Sequence, residues 1–330
     1  MPNREQRNKR YEGRGRGAQS IRALLFICFC AAGLFSAFRN ASAEAEPTPA
    51  PTPCPTPFTL AWVPDTQASV YFQPAAMEAL GDWIKENAEK ENILAVLHTG
   101  DLVDNGFADW QWENFELFYH RIEGVVPFFP IAGNHDLDRK RLDWTGYLAR
   151  PYVKNAVPED QQYGGGKAAY MTFSAGGRDF IVAGIGFSAE REAAPWVRDV
   201  FNQYPNRHGI LLLHDYLHPR GNQLMEFGPF TFERVVKRCK NVRLVLSGHY
   251  RGTAYREDYL DDYRDGTPNR VVRTMLCNYQ GMAFGGGVVR LLRFDPGDGS
   301  ITVTTFSAMT GHPLIDKAFK QSVFRLEDAF

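Results

Sequence analysis

Three polar residues in a row, Asn134, His135 and Asp136, follow the apolar run 125–132 and Gly133. An apolar run that stops at a glycine is typical of a buried strand that ends in a loop. A packed core does not require an amide, an imidazole and a carboxylate in succession, because each would need a partner once buried. At the carboxyl end of a strand in an α/β sheet, this triplet therefore indicates a ligand site.

Four other apolar runs end on side chains of the same kinds. Their polar ends are, in chain order, Pro64-Asp65-Thr66-Gln67, Gly100-Asp101-Leu102-Val103-Asp104, His214-Asp215 and Ser247-Gly248-His249. A capping or buried residue would explain one such end, but five in this order predict one shared site. Oxygen donors combined with imidazole nitrogens suit manganese, iron or zinc better than an all-oxygen calcium site.

The order and residue types of these polar ends resemble the motifs of the calcineurin-like metallophosphoesterases, over roughly residues 58–306. The most specific pieces are Gly100-Asp101-x-x-Asp104, Gly133-Asn134-His135-Asp136 and Gly248-His249. The resemblance implies the α/β class, as a four-layer α/β/β/α sandwich with the metal site at the carboxyl ends of the strands. It also implies that the chain hydrolyses a phosphate ester.

The resemblance assigns a complete ligand set to one metal ion. In this family one aspartate bridges two metals, and its counterpart here is Asp101. The second metal of the family's pattern would take Asp101 together with Asn134, His214 and His249. All four residues are present, so the resemblance implies one tightly bound divalent ion of manganese, iron or zinc.

The ligand set of the first metal is incomplete. The segments that stand where the family has Asp-x-His and Gly-His-x-His are Asp65-Thr66-Gln67 and Gly248-His249-Tyr250-Arg251. Asp65 remains as a ligand, and Gln67 is a neutral and weak oxygen donor, but the guanidinium of Arg251 has no lone pair to offer. We therefore expect a second metal to bind only weakly.

Three residues are expected to act on the ester itself. His135 matches the family's second-sphere histidine, which would stabilise charge on the phosphoryl oxygens or protonate the leaving group. Asp136 would hold the His135 ring in one tautomer. Arg251 would place its guanidinium fork on two phosphate oxygens and take over part of the first metal's work. The alternative for Arg251 is a shifted loop that leaves the side chain facing solvent.

The other histidines carry weaker signals. His218 is close enough to His214 in sequence to line the site, and we expect Asp104 and Asp215 to orient loops or ligands. Four histidines match no motif and are expected in the core or on the surface: His98, His120, His208 and His312.

The N-terminal segment predicts export. Basic residues in 1–22 precede the apolar run 23–38 and the small-residue site Ala41-Ser42-Ala43, a pattern typical of a signal peptide over 1–43. The alternative is an uncleaved anchor, although the run is shorter than the ~20 residues of a spanning helix. Residues 44–57 are rich in proline and threonine and favour an extended spacer. We expect a secreted or extracytoplasmic protein whose N-terminal segment would contact any membrane or cell wall.

Composition and patterning bound the rest of the chain. The 330 residues carry a net charge of −1, which gives no nucleic-acid-binding signature. We expect a monomer with buried thiols at Cys239 and Cys277 rather than a disulfide framework. Apolar residues at helical spacing predict helices over 74–90 and 109–122, while the tail 307–330 has no clear period and stays unassigned. Specificity is expected to lie in the loops 107–109, 153–166 and 251–268.

Two functions follow from these observations. The first is an exported metal-dependent phosphoesterase that hydrolyses a phosphomonoester or phosphodiester, and His135 favours it because a binding protein has little need of such a residue. The second is a catalytically weakened relative that binds a phosphorylated or cell-wall ligand through one retained metal. The two missing ligand histidines favour the second.

Overall fold

The computed structural model describes residues 55–137, 142–281 and 286–330. Within these ranges, none of the helices combines the length and apolar character needed to cross a lipid bilayer. The predicted signal peptide 1–43 and nearly all of the spacer 44–57 lie outside the described residues.

The first third of the fold alternates strands and helices. Its elements are β1 (Phe58–Val63), α1 (Gln67–Phe72), α2 (Pro74–Asn87), β2 (Ile93–His98), α3 (Asp109–Ile122) and β3 (Phe128–Pro130). Proline stands at the first position of α2. It lacks an N–H, which costs nothing there because the first N–H groups of a helix have no partner within the helix. In α3, Trp112, Phe115, Phe118 and Ile122 are buried at three- and four-residue spacing, which makes one apolar face.

The middle of the chain builds the second sheet. Its elements are α4 (Thr145–Leu148), α5 (Pro151–Lys154), β4 (Gln162–Tyr163), β5 (Ala168–Ala175), β6 (Arg178–Ile185), α6 (Glu190–Gln203), β7 (His208–Leu213), α7 (Gly228–Thr231), β8 (Val242–Ser247), β9 (Gly252–Leu260) and β10 (Arg270–Asn278). The prediction of a loop over 251–268 is wrong for its first part, where β9 pairs antiparallel with β10. Because β9 is an edge strand with one neighbour, it lacks the apolar alternation that reveals a buried strand.

Three strands complete the first sheet: β11 (Val288–Asp295), β12 (Ser300–Ser307) and β13 (Val323–Leu326). The tail 307–330, for which the sequence gives no assignment, therefore belongs to the fold. β13 pairs with β12, and Asp316 forms a buried ion pair with Arg290 at 2.8 Å. Phe319 and Phe324 stack with ring centroids 3.7 Å apart.

Two sheets face each other, with helices on their outer faces. The strand orders are β13-β12-β11-β1-β2-β3 and β4-β5-β6-β7-β8-β10-β9. Side chains alternate along β1: Phe58, Leu60 and Trp62 join the core between the sheets, whereas Ala61 and Val63 join the core beneath the helices. This period of two is the strand geometry expected when both faces are covered. The predicted α/β/β/α sandwich is confirmed.

Candidate metal centre

The carboxyl ends of five strands supply the side chains of one cluster. Strands β1, β2 and β3 run parallel in one sheet, and β7 and β8 run parallel in the other. One ligand atom each from Asp101, His214 and His249 lies within 4.8 Å of the others. His214 Nε2 is 3.3 Å from Asp101 Oδ1.

Asn134 completes this group. Its Oδ1 lies 3.0 Å from His214 Nε2 and 2.9 Å from His249 Nδ1, and the two nitrogens are 3.1 Å apart. His214 Nδ1 is 2.8 Å from the carbonyl oxygen of Thr99. A carbonyl can only accept, so Nδ1 donates the hydrogen and Nε2 turns its lone pair to the centre. Three electron-rich atoms therefore converge on one point, which is the donor set of a divalent metal.

The charges of the cluster favour a cation at the same point. Burial alone would lower the pKa of His214, but the Asp101 and Asp65 carboxylates raise it to about 10. In turn, burial would raise the pKa of Asp101, while His214 brings it below its ordinary range. A divalent ion would take the place of the proton on His214, because histidine binds metals in its neutral form. The residues present fit the metal that the site chemistry implies.

Close backbone approach holds these loops together. A Cβ atom on Gly133 would lie 2.2 Å from Asp101 Oδ1, so the loop after β3 can rest against the loop after β2 only with glycine there. Asp101 and His249 themselves have φ angles of 56° and 69°. A left-handed backbone at a residue other than glycine is strained and concentrates at functional sites.

The side of the cluster around Asp65 differs from the side around Asn134. Asp65 Oδ1 accepts a hydrogen bond from the backbone N–H of His249 at 2.8 Å, and Gln67 Nε2 donates to Asp101 Oδ2 at 2.8 Å. Asp65 Oδ2 and Gln67 Oε1 are buried and make no hydrogen bond within the described residues. Burial raises the pKa of Asp65 well above its usual range, with Asp101 adding to this and His214 opposing it.

Arg251 follows this side of the cluster in sequence but is exposed. A Cβ on Gly281 would lie 3.4 Å from Arg251 Cδ, which places the arm of the side chain along that turn. The hydrogen bonds and ion pairs of the described residues do not include the Arg251 guanidinium. The Arg251 side chain is therefore accessible to solvent in this structure, and its contact with an ester stays a prediction.

His135 lies beside Asp101, and Asp104 holds its ring. The backbone N–H of His135 donates to Asp101 Oδ1 at 2.9 Å. His135 Nδ1 is 2.9 Å from both the carbonyl oxygen and Oδ1 of Asp104; both atoms only accept, so Nδ1 carries the hydrogen. His135 Nε2 then faces Asp101 Oδ2 at 4.0 Å. The predicted orienting role of Asp104 matches these contacts.

The expectation that Asp136 holds the His135 ring is wrong. Asp136 Oδ1 accepts from the N–H of Val103 at 3.0 Å and Oδ2 accepts from the N–H of Gly133 at 2.7 Å. The turn after Asn134 directs this carboxylate into the protein, where it joins two loops. Burial and the neighbouring Asp101 raise the pKa of Asp136 to about 8, against the two backbone hydrogen bonds.

The unmatched histidines lie in the core and on the surface, as expected. His98 is buried, accepts at Nδ1 from the N–H of Gly100 at 3.2 Å and lies 3.1 Å from the hydroxyl of Thr66. Burial lowers the pKa of His98 to about 3, so it is a neutral structural link between the loops after β1 and β2. His120 and His312 are exposed and His208 is half-buried.

Two buried carboxyl groups lie behind His214. Sequence reasoning missed Glu190, which follows a plain loop and starts α6. Its oxygens make no hydrogen bond within the described residues, and burial raises its pKa to about 8 although the N–H groups of Glu190 and Ser188 oppose this. Burial also raises the pKa of Asp215 to about 6, against the charge of His214. His218 is only partly buried, with its ring 6.4 Å from that of Tyr250.

Two facing sheets with a cluster of aspartate, asparagine and histidine at their strand ends define a metal-dependent hydrolase architecture. The model of the calcineurin-like phosphoesterase family matches residues 58–250, more than half of the chain. The chain belongs to the calcineurin-like phosphoesterase family.

Relatives with this fold are distant or uncharacterised. An uncharacterised protein, YvnB of Bacillus subtilis (strain 168), is 34% identical over 256 residues, which cover 76% of this chain and 20% of that protein. The chain thus spans about a fifth of the length of this curated relative. A purple acid phosphatase from yellow lupin has a TM-score of 0.57 at 14% identity, covering 82% of this chain and 54% of its own. A dimetal phosphatase from Danio rerio has a TM-score of 0.55 at 11% identity, covering 82% and 98%.

Proposed function

We propose that this protein is an exported metal-dependent phosphoesterase that hydrolyses a phosphomonoester or phosphodiester. The observation that carries the proposal is the convergence of Asn134 Oδ1, His214 Nε2 and His249 Nδ1 within 3.1 Å of one another. Asp101 adds a carboxylate, and His135 lies beside it. The two phosphatases with the same fold agree with this proposal.

The residues divide into ligands and groups that act on the ester. Asp101, Asn134, His214 and His249 would hold one divalent ion, which when bound would supply Lewis-acid activation of the ester and of the attacking water. His135 presents Nε2 to the same space, since Asp104 fixes Nδ1. With a hydrogen on both ring nitrogens, the imidazolium can stabilise through Nε2–H the charge that develops on the phosphoryl oxygens, or give that proton to the leaving oxygen.

Arg251 and Gln67 would act on the side where two ligand histidines are missing. Arg251 is exposed, so its guanidinium is accessible to an anion and can bind two phosphate oxygens. Within the part of the chain that the structure describes, Gln67 Oε1 and Asp65 Oδ2 are buried there without a hydrogen bond. We expect them to hold a second cation weakly, because an amide is a neutral and weak donor.

Export is part of the proposal because of residues 1–43. The basic start, the apolar run and Ala41-Ser42-Ala43 support cleavage after Ala43. Mass spectrometry of the protein recovered from outside the cytoplasm should find a chain that starts at Glu44. A full-length chain retained in the cytoplasm would contradict export.

The catalytic proposal is tested with the purified mature chain. Turnover of nitrophenyl phosphate and of bis(nitrophenyl) phosphate is measured with manganese, zinc and iron in turn, and after chelation. We expect turnover with at least one metal and its loss with the chelator. Absence of turnover with every metal and both esters would contradict the proposal.

A second candidate function is a relative that binds a phosphorylated or cell-wall ligand through one metal. The replacement of two ligand histidines by Gln67 and Arg251 favours it. It predicts that calorimetry detects metal-dependent binding of inorganic phosphate while neither ester is hydrolysed.

A further inference from the structure

Three large aromatic side chains lie exposed on α1 and α3, the helices that follow the loops after β1 and β2. Tyr71 and Trp110 are each 45% exposed and Phe72 is 62% exposed. Single exposed apolar residues are ordinary, but a contiguous group marks an interaction site. We call Tyr71, Phe72 and Trp110 the aromatic corner.

The rings of this corner stand at angles to each other. The centroids of Tyr71 and Phe72 are 4.6 Å apart with the planes at 61°, and those of Tyr71 and Trp110 are 5.3 Å apart at 62°. Parallel rings would hold a flat ligand between them, whereas angled rings bound a corner that suits a compact group. Aromatic faces attract cations, and aromatic cages are the usual recognition device for quaternary ammonium.

The corner lies on α1 and α3, and hydrogen bonds link the starts of both connections to residues of the metal centre. α1 begins at Gln67, which donates to Asp101, and Tyr71 is four residues later, ~6 Å along the helix axis. On the other side, the N–H of Gly106 donates to the carbonyl oxygen of His135 at 3.0 Å, and Trp110 follows on the same connection. Both connections therefore lead from residues of the metal centre to the corner.

The charges around the corner are mainly acidic. Asp109 precedes Trp110, Glu113 follows it by one helical turn, and both are exposed; residues three apart share a helix face. The one nearby cation among the contacts of the described residues is Arg150, 3.5 Å from Asp109. Such surroundings disfavour an anionic lipid surface or a second phosphate, and they favour a positively charged group.

We propose that the substrate class of this site is a phosphoester whose organic group carries a quaternary ammonium, held in the aromatic corner while the phosphoryl group occupies the metal centre. The proposal rests on the proposed function for the place of the phosphoryl group. The corner would act through cation–π attraction to Tyr71 and Trp110 and through the field of Asp109 and Glu113.

The test compares two ligands of the same shape. Calorimetry with the manganese-loaded mature chain measures binding of choline phosphate and of 3,3-dimethylbutyl phosphate, its uncharged carbon isostere. We expect choline phosphate to bind about ten-fold more tightly. Equal or tighter binding of the isostere would overturn the proposal, because it would show that the corner recognises apolar shape alone.

Variants locate the preference. Trp110→Leu keeps apolar volume but removes the ring, and Trp110→Ala and Tyr71→Ala remove more; each should abolish the preference while inorganic phosphate binds as before. Tyr263→Ala is the control, because Tyr263 is 71% exposed and lies under Lys240, away from the corner. A preference that survives all three corner variants would overturn the proposal. The measurement needs no turnover, so an inactive parent that keeps the preference would refute catalysis and leave this inference standing.

Discussion

The two sides of the metal centre contrast in how their donor atoms are used. Around Asn134, three donor atoms of different residues point at one another at 2.9–3.1 Å. Around Asp65, two buried oxygens make no hydrogen bond within the described residues, and the side-chain amide of Gln67 donates to Asp101. The contrast teaches that the same five strands can carry a converging donor set on one side and oxygens without such convergence on the other, because the loops after the strands decide which side chains meet.

The largest loss of metal affinity and turnover should come from a change on the complete side of the metal centre, around Asn134. His214→Ala removes a nitrogen on which Asn134, His249 and Asp101 converge. Metal affinity should fall by more than ~100-fold, and turnover by ~10⁴-fold or more, the rate equivalent of the several kcal/mol that Lewis-acid activation supplies. Metal analysis after dialysis and ester assays check this. Since His214 is fully buried, His214→Gln is included to retain side-chain bulk; turnover close to the parent's in that variant would place the metal elsewhere.

The second largest loss of turnover is expected at His135, which belongs to neither side of the metal centre. His135→Ala should lower turnover by ~10²–10⁴-fold while metal content and the unfolding temperature stay near those of the parent. The reason is that the ring acts on the ester and does not fill the core. Asp104→Ala is the positioning variant, because Asp104 fixes Nδ1, and it should lose ~10–100-fold. Unchanged turnover in His135→Ala would assign the ring a structural part.

Restoring the incomplete side should have a smaller effect on turnover. In the double variant Gln67→His/Arg251→His, two imidazoles replace a weak donor and a non-donor. Elemental analysis should rise from about one metal per chain to about two. Arg251→Lys, which keeps the charge but loses the fork, serves as the comparison and should weaken phosphate binding without changing metal content. A parent that already holds two metals after dialysis would remove the contrast between the two sides.

The smallest effect tests the buried carboxyl behind the complete side. The pKa of Glu190 is raised by burial from 4.5 to about 8, so between these values the unfolded chain binds fewer protons than the folded one. The free energy of unfolding should therefore fall as pH rises from 5 to 8, by on the order of a few kcal/mol. Glu190→Gln should make this slope less steep in thermal unfolding, with the remainder due to Asp136 and Asp215, and the exposed Glu86→Gln should keep the slope of the parent. Parallel curves for both variants would contradict the assignment.

The sequence predicts the strands and the candidate metal ligands more reliably than it predicts the directions of side chains. The apolar run that ends before Pro64 forms β1, and the predicted helix 109–122 matches α3 residue for residue, because burial imposes a period on each. The prediction that Asp136 holds the His135 ring failed for a different reason: a tight turn points the side chains of His135 and Asp136 in different directions, and no period records that. Glu190 lacks any motif, and only the fold reveals that it is buried.

The position of β1 bears on how the chain folds. Phe58 at its start pairs with Phe294 in β11, so β1 lies between β2 and a strand that is made long after both. Until residues 288–295 have emerged from the ribosome, β1 has a paired neighbour on one edge only, and its apolar face is not yet fully covered. Contacts of such long sequence separation make folding slow, and an unpaired edge during that wait is open to pairing with other chains. A nascent chain that lacks residues 288–295 is therefore more open to association with other chains than the folded protein, in which β11 covers this edge of β1.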